Sequence, residues 1–263
     1  KVANALQTPV AEAVASLPTA PALWMDETSY PREGFSSHWA WAVVQPQLAV
    51  FAIYPSRARY VVNDLIGPNC TAVVTTDRYA SYAHLDPERR QVCWAHLVRD
   101  VTRIAQRAGQ AGRVGHRLLG LALVMFRWHD QGKLAGTKLQ RLQKRMREAL
   151  QRGVDQARCQ RTARTCANLI DLWPALWTFT TDARLEPTNN AAERALRPLV
   201  LKRKISGPTR SRRGDQFLSY GYTAYETCRR QGRDLWHFMH GAVHALIAGT
   251  APPSLIPQAA PTG

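Results

Sequence analysis

No two cysteines in this sequence stand as Cys-x-x-Cys, and the five present (Cys70, Cys93, Cys159, Cys166 and Cys228) are odd in number and widely spaced. That pattern fits reduced thiols in a cytosolic protein better than a disulfide framework or a four-cysteine zinc site. No apolar run approaches the roughly 20 residues that a membrane-spanning helix needs, and no signal peptide opens the chain. Position 1 is Lys rather than Met, so the sequence reads as a fragment of something longer. No internal repeat is visible. Acid is scarce: 19 Asp and Glu face 35 Lys and Arg, for a net charge of +16 and a pI near 10.3. Such an excess points to a polyanionic partner, nucleic acid ahead of an anionic membrane.

What is present suffices for a folded protein. Hydrophobic residues make up 45% of the chain and include eight Trp, which separates it from disordered basic proteins. At 263 residues the expectation is one large domain, or one domain interrupted by another. Residues 1–20 predict a linker or short helix. Ala22–Asp26 predicts a buried strand ending in an acid, followed by a turn over Glu27–Gly34. His38–Val44 is a second strand, with Trp39, Trp41 and Val43 on one face, and Leu48–Tyr54 a third, giving an antiparallel meander. A helix over 57–66, a strand over Thr71–Asp77 that again ends in an acid, a short helix and a short strand over Gln91–Trp94 follow. This order is the pattern of a ribonuclease H-like mixed sheet flanked by helices, an α/β layer fold.

From Ala95 to about Trp177 helical spacing dominates. Between Arg99 and Arg164 sixteen basic residues face four acids; a solvated face is the plain reading and phosphate-backbone contact the functional one. The expected organisation is a linker over 1–20, a discontinuous core over 21–97 and 185–250, a basic all-helical insertion over 98–184, and a flexible tail over 251–263.

The stretch Glu186-Pro-Thr-Asn-Asn-Ala-Ala-Glu193-Arg-Ala-Leu-Arg-Pro198 organises the rest. A turn signal opens a short helix that Pro198 should interrupt or kink. Ala192, Ala195, Leu196 and Leu199 form an apolar stripe that should dock on a core, holding Glu193 beside it. Between Arg194 and Arg213 there are eight Lys or Arg and no acid. The plain alternatives for Glu193 are a capping box with Asn190 and an exposed pair with Arg197.

Asp26 and Asp77 decide between them. Each ends an apolar strand, and adjacent strands ending at one edge would bring the two together, with Glu193 on a helix packed against the sheet. A lone strand-end Asp is usually a turn former. Clustered carboxylates repel, however, and such a cluster persists when a cation neutralises it. Three hard oxygen ligands suit Mg²⁺ or Mn²⁺ rather than zinc, and two such ions roughly 3.5–4 Å apart serve phosphoryl transfer.

Trp24-Met-Asp26-Glu-Thr, the His38–Trp41 strand, Thr76-Asp77-Arg-Tyr-Ala-Ser-Tyr82, Cys93-Trp-Ala-His96-Leu, the Glu193 motif and Arg203-Lys204 resemble, in matching order over about residues 22 to 245, the DDE transposases of the insertion-sequence sixty-six family. The resemblance implies a ribonuclease H-like catalytic domain with an all-helical insertion before the last catalytic residue. It makes Asp26, Asp77 and Glu193 the catalytic, metal-binding triad for two Mg²⁺ or Mn²⁺ ions. It implies cleavage at transposon ends and strand transfer into target DNA by the freed 3′-hydroxyl. The implied partners are double-stranded DNA (transposon ends and target), further copies of the chain in a homodimer or higher oligomer on DNA, and small accessory proteins of the same element, with no membrane. The implied place is the bacterial cytoplasm, at the nucleoid. Family members look longer at the N-terminus than this chain, and Ser29 stands where the family pattern has Gly.

Arg194, Arg197, Lys202, Arg203, Lys204, Arg210, Arg212 and Arg213 are the expected DNA contacts, with Gly207–Gly214 as a flexible basic loop. Cys93-x-x-His96 lacks two further zinc ligands at suitable spacing; His96 is either a hydrogen-bonded structural imidazole or a residue near the scissile phosphate. Two other readings stay open: a non-catalytic DNA-binding remnant, and a ribonuclease H-like nuclease that cleaves without joining.

Overall fold

The computed structural model of the protein describes residues 1–34 and 38–257. In chain order its elements are α1 (Val2–Ala5), α2 (Gln7–Ala15), β1 (Ala22–Ser29), β2 (Trp39–Val44), β3 (Ala49–Tyr54), α3 (Arg59–Ile66), β4 (Val73–Thr76) and β5 (Arg90–Val92). There follow α4 (Trp94–Ala105), α5 (Gly109–Asp130), α6 (Gly136–Gln156), α7 (Gln160–Asp171), α8 (Asn190–Ser206), α9 (Arg212–Gln231) and α10 (Leu235–Ala248). The protein is mixed α/β and divides into two compact units, the first being Lys1–His84 with Asn189–Gly263, the second Leu85–Thr188.

In the first unit β-branched and aromatic residues at alternate positions give a mixed sheet in the order β3-β2-β1-β4. The expected meander forms: β1 with β2 and β2 with β3 are antiparallel, whereas β1 and β4 run parallel. β1 does not stop at Asp26. Glu27, Thr28 and Ser29 pair with Trp41, Ala40 and Trp39, so backbone pairing carries the strand three residues into the expected turn. The short helix expected after β4 is replaced by two 3₁₀ turns, Ala80–Tyr82 and Pro87–Arg89.

β3 lies at the edge of this sheet, where unpaired amides invite other strands. Two threonines of α9, one turn apart, cover them. Phe51 N donates to Thr223 Oγ1 at 2.9 Å and Ala49 N to Thr227 Oγ1 at 3.1 Å, while the Thr227 hydroxyl donates to Ala49 O. All four residues are buried.

α8 packs on β1 and β2 through Ala192, Ala195, Leu196 and Leu199, each at most 3% exposed. It runs unbroken through Pro198. The lost proline N–H forfeits one helical bond, which the docked stripe outweighs. At the chain's far end, residues 251–257 have no regular structure, but Leu255 is fully buried and its carbonyl accepts from Gln231 Nε2 at 2.8 Å. Residues 258–263 of the expected tail lie outside the described residues.

The second unit is helical apart from β5 and the 3₁₀ turns. Its core gathers Trp94, Leu97, Val101, Leu118, Met146 and Leu150. Trp94 is a core residue whose indole N–H donates to Leu176 O at 2.7 Å. Outside this core α6 turns Lys138, Arg141, Lys144, Arg145 and Arg152 to solvent.

Candidate active site

The register of β1 and β4 pairs Ala22 with Val73, Leu23 with Val74 and Trp24 with Thr75. Continued by two residues, it sets Asp26 opposite Asp77, on one face of neighbouring strands about 4.8 Å apart. Asp77 lies just past β4. Thr76 Oγ1 donates to its carbonyl at 2.8 Å, and its own Oδ1 accepts from Tyr79 N at 2.8 Å.

Glu193 arrives on the first turn of α8. Asn189, the residue capping that helix, is fully buried and donates from Nδ2 to Met25 O at 2.8 Å. The start of α8 is thereby tied to the residue before Asp26. The capping-box reading of Glu193 does not hold, because the cap falls on Asn189 rather than Asn190 and its side chain makes no cap bond. The face of β2 beneath α8 carries Ala40 and Ala42, both fully buried, with Ala42 beside Asp26; such short side chains let the helix lie close.

Asp77 and Glu193 both act electrostatically on Asp26. The Asp26 carboxyl is pushed up from 3.8 to about 8, first by burial, next by the Glu27 charge, and further by Asp77 and Glu193. The Glu27 amide, donating to Asp26 Oδ1 at 2.9 Å, works against the shift. Among the described residues, one oxygen from each of Asp26, Asp77 and Glu193 does not make a set lying within 4.8 Å of one another. Carboxylate oxygens are hard donors, of the kind that Mg²⁺ or Mn²⁺ takes.

One residue that sequence reasoning passed over stands beside Asp26. Glu27, expected in a turn, points to the opposite face of β1 with its side chain fully buried. Its Oε1 accepts from Arg57 Nε at 2.5 Å, and its Oε2 accepts from the Tyr82 hydroxyl. The signal available was positional: Glu27 occupies an inward strand position directly beside Trp41. His96, half-buried on the first turn of α4, and the buried Cys93 that precedes that helix belong to the second unit.

The expected DNA contacts divide by exposure. Arg194, Arg197, Lys204, Arg210, Arg212 and Arg213 are exposed, whereas Lys202 and Arg203 are half-buried. Arg203 donates from Nη1 to the carbonyl of exposed Ser29 and, at 2.9 Å, to Ser29 Oγ, so the serine supplies an acceptor that glycine would not. Arg210 pairs with Glu33 at 3.1 Å. The expected flexible loop over Gly207–Gly214 is shorter and anchored: α9 begins at Arg212. Buried Thr209 donates to Asp215 Oδ1 at 2.5 Å and accepts through its carbonyl from Glu33 N at 2.7 Å.

The profile of the transposase IS66 family matches residues 1–216. The chain belongs to this family. It resembles a protein of Sinorhizobium fredii (strain NBRC 101917 / NGR234), "Uncharacterized protein y4qI", with 23% identity over 264 residues, covering 81% of this chain and 45% of that one. The IS66-family chain thus spans less than half the length of this relative. No solved structure matches it. Among the described residues no helix is long and apolar enough to cross a membrane.

Proposed function

We propose that this IS66-family chain is the catalytic part of a DNA transposase, its first unit a ribonuclease H-like core and its second a basic helical insertion that holds DNA. The observation that carries the reading is the β1–β4 register, with Asn189 tying α8 beside it, which gives Asp26, Asp77 and Glu193 a common electrostatic neighbourhood. Asp26, Asp77 and Glu193 would hold two Mg²⁺ or Mn²⁺ ions. When bound, the ions activate an attacking oxygen and stabilise the leaving one in phosphoryl transfer.

The chain's own residues do the rest. Asp26 gives up its proton to become a ligand. The exposed cations of α8 and α9 hold the phosphate backbone, and the buried stripe of α8 keeps Glu193 from drifting as DNA binds. Water's oxygen bonds to phosphorus at the transposon end and the phosphodiester bond breaks, leaving a 3′-hydroxyl. That hydroxyl then displaces one oxygen of a target phosphodiester, within a homodimer or higher oligomer on DNA.

The test is Mn²⁺-dependent nicking of supercoiled DNA by the wild type, with Asp77→Asn and Glu193→Gln alongside and an assay for joined products. Nicking and joining in the wild type, both lost in the variants, are expected. Cleavage without joined products would make the chain a nuclease, and binding without cleavage a DNA-binding remnant.

Affinity for duplex DNA should fall steeply with salt, because each phosphate neutralised releases counterions. In an Arg210/Arg212/Arg213 triple alanine variant the slope of log K against log salt should become shallower by about two to three units. The lower figure applies where Arg210 stays with Glu33. An unchanged slope removes this segment from the interface.

A further inference from the structure

Glu27 is not one of the three proposed ligands, yet both of its oxygens are engaged and its side chain is wholly enclosed. Its main partner, Arg57, enters from the loop between β3 and α3. The guanidinium is held over the Tyr79 ring, with Cζ 3.4 Å from the ring centroid, and lies 4.8 Å from that of Trp39. The end that Glu27 leaves over faces Asp77, with Nη2 3.9 Å from Oδ2. Tyr79, the ring against which Arg57 lies, also donates its amide to the other oxygen of Asp77 at 2.8 Å. A guanidinium is a rigid planar fork, so once Glu27 and the rings fix one edge, the direction of the other is fixed too.

We propose that Glu27 and Arg57 act together as positioning residues that orient the Asp77 carboxylate for divalent-metal binding. The proposal rests on the triad reading above. Groups bonded to a metal ligand set its orientation and basicity, and their loss typically weakens metal affinity by about 10–100-fold. A pair that served only to neutralise a buried acid would affect the melting temperature and leave metal affinity alone.

The experiment measures Mn²⁺ affinity by electron paramagnetic resonance of the free ion, well below each protein's melting temperature. Proteins compared are the wild type, Arg57→Lys, and the double variant Glu27→Gln/Arg57→Gln, with Asp26→Asn as the non-binding control. Arg57→Lys keeps the charge and loses the fork. The double variant removes the buried charge along with its partner, and so keeps the fold even where a single change would not. Both variants should bind Mn²⁺ about 10–100-fold more weakly than the wild type. Wild-type affinity, within twofold, in either folded variant overturns the positioning role and leaves the triad standing. A wild type that binds no better than Asp26→Asn overturns the metal site, and this proposal with it.

Discussion

Asp26→Asn should abolish metal-dependent cleavage and at the same time make the metal-free protein more stable above neutral pH. The sign follows from the carboxyl's pKa near 8, raised by burial first and then by the charge of Glu27. Below about pH 4 folded and unfolded chains both hold the proton. Between there and about 8 the unfolded chain releases it and the folded chain keeps it, so stability falls as pH rises. Above about 8 both are ionised and the loss is complete. Every tenfold difference in proton affinity between the two states is worth about 1.4 kcal/mol, so the penalty at pH 8.5 is of the order of a few kcal/mol. Asparagine cannot ionise and escapes it. Thermal melts at pH 5 and pH 8.5 without metal should therefore show the variant gaining on the wild type far more at the higher pH than at the lower. Mn²⁺ should raise the melting temperature of the wild type and leave the variant unmoved. A variant equal to the wild type at pH 8.5, or one that still nicks DNA, defeats this account.

Gly115→Ala should cost about 3 kcal/mol or more, at the upper end for overpacking a well-filled interior. Gly115 sits where α5 crosses the end of α4. A Cβ there would stand 2.2 Å from Ala105 N and 2.6 Å from Ala105 Cα and the Ile104 carbonyl carbon. These are backbone atoms of a helix whose Ile104 and Ala105 are themselves buried, so no flexible side chain can yield; the two helices must part. Gly120 on the same helix has nothing within 4 Å of its would-be Cβ and is exposed. Gly120→Ala should instead stabilise by about 0.5–1 kcal/mol through helix propensity. Denaturant melts of both variants check the contrast. A Gly115→Ala protein within 1 kcal/mol of the wild type would mean that α4 and α5 do not approach this closely.

Much of the first unit could be read from residues in order, because strands announce themselves by local alternation. The two aspartates and the docked stripe of α8 rest on such local signals. What escaped the sequence depends on partners far away. Glu27 looked like turn material because its cation comes from 30 residues on and its phenol from 55 residues on. The Gly207–Gly214 segment looked loose for its Gly, Pro and Ser; its anchors, Arg32 and Glu33, come from the other end of the chain. Asn189 read as a turn former, and nothing in its neighbours tells that its amide crosses 164 residues to Met25.

The threonine hydroxyls that close the β3 edge carry a consequence for synthesis. Phe51 must wait 172 residues for Thr223, roughly 10–30 s at ribosomal speeds of about 5–20 residues per second. Through that interval the nascent chain has its first three strands in hand and no α9 to seal them. Translation products cut short before Thr223 would leave a bare strand border for another polypeptide to join.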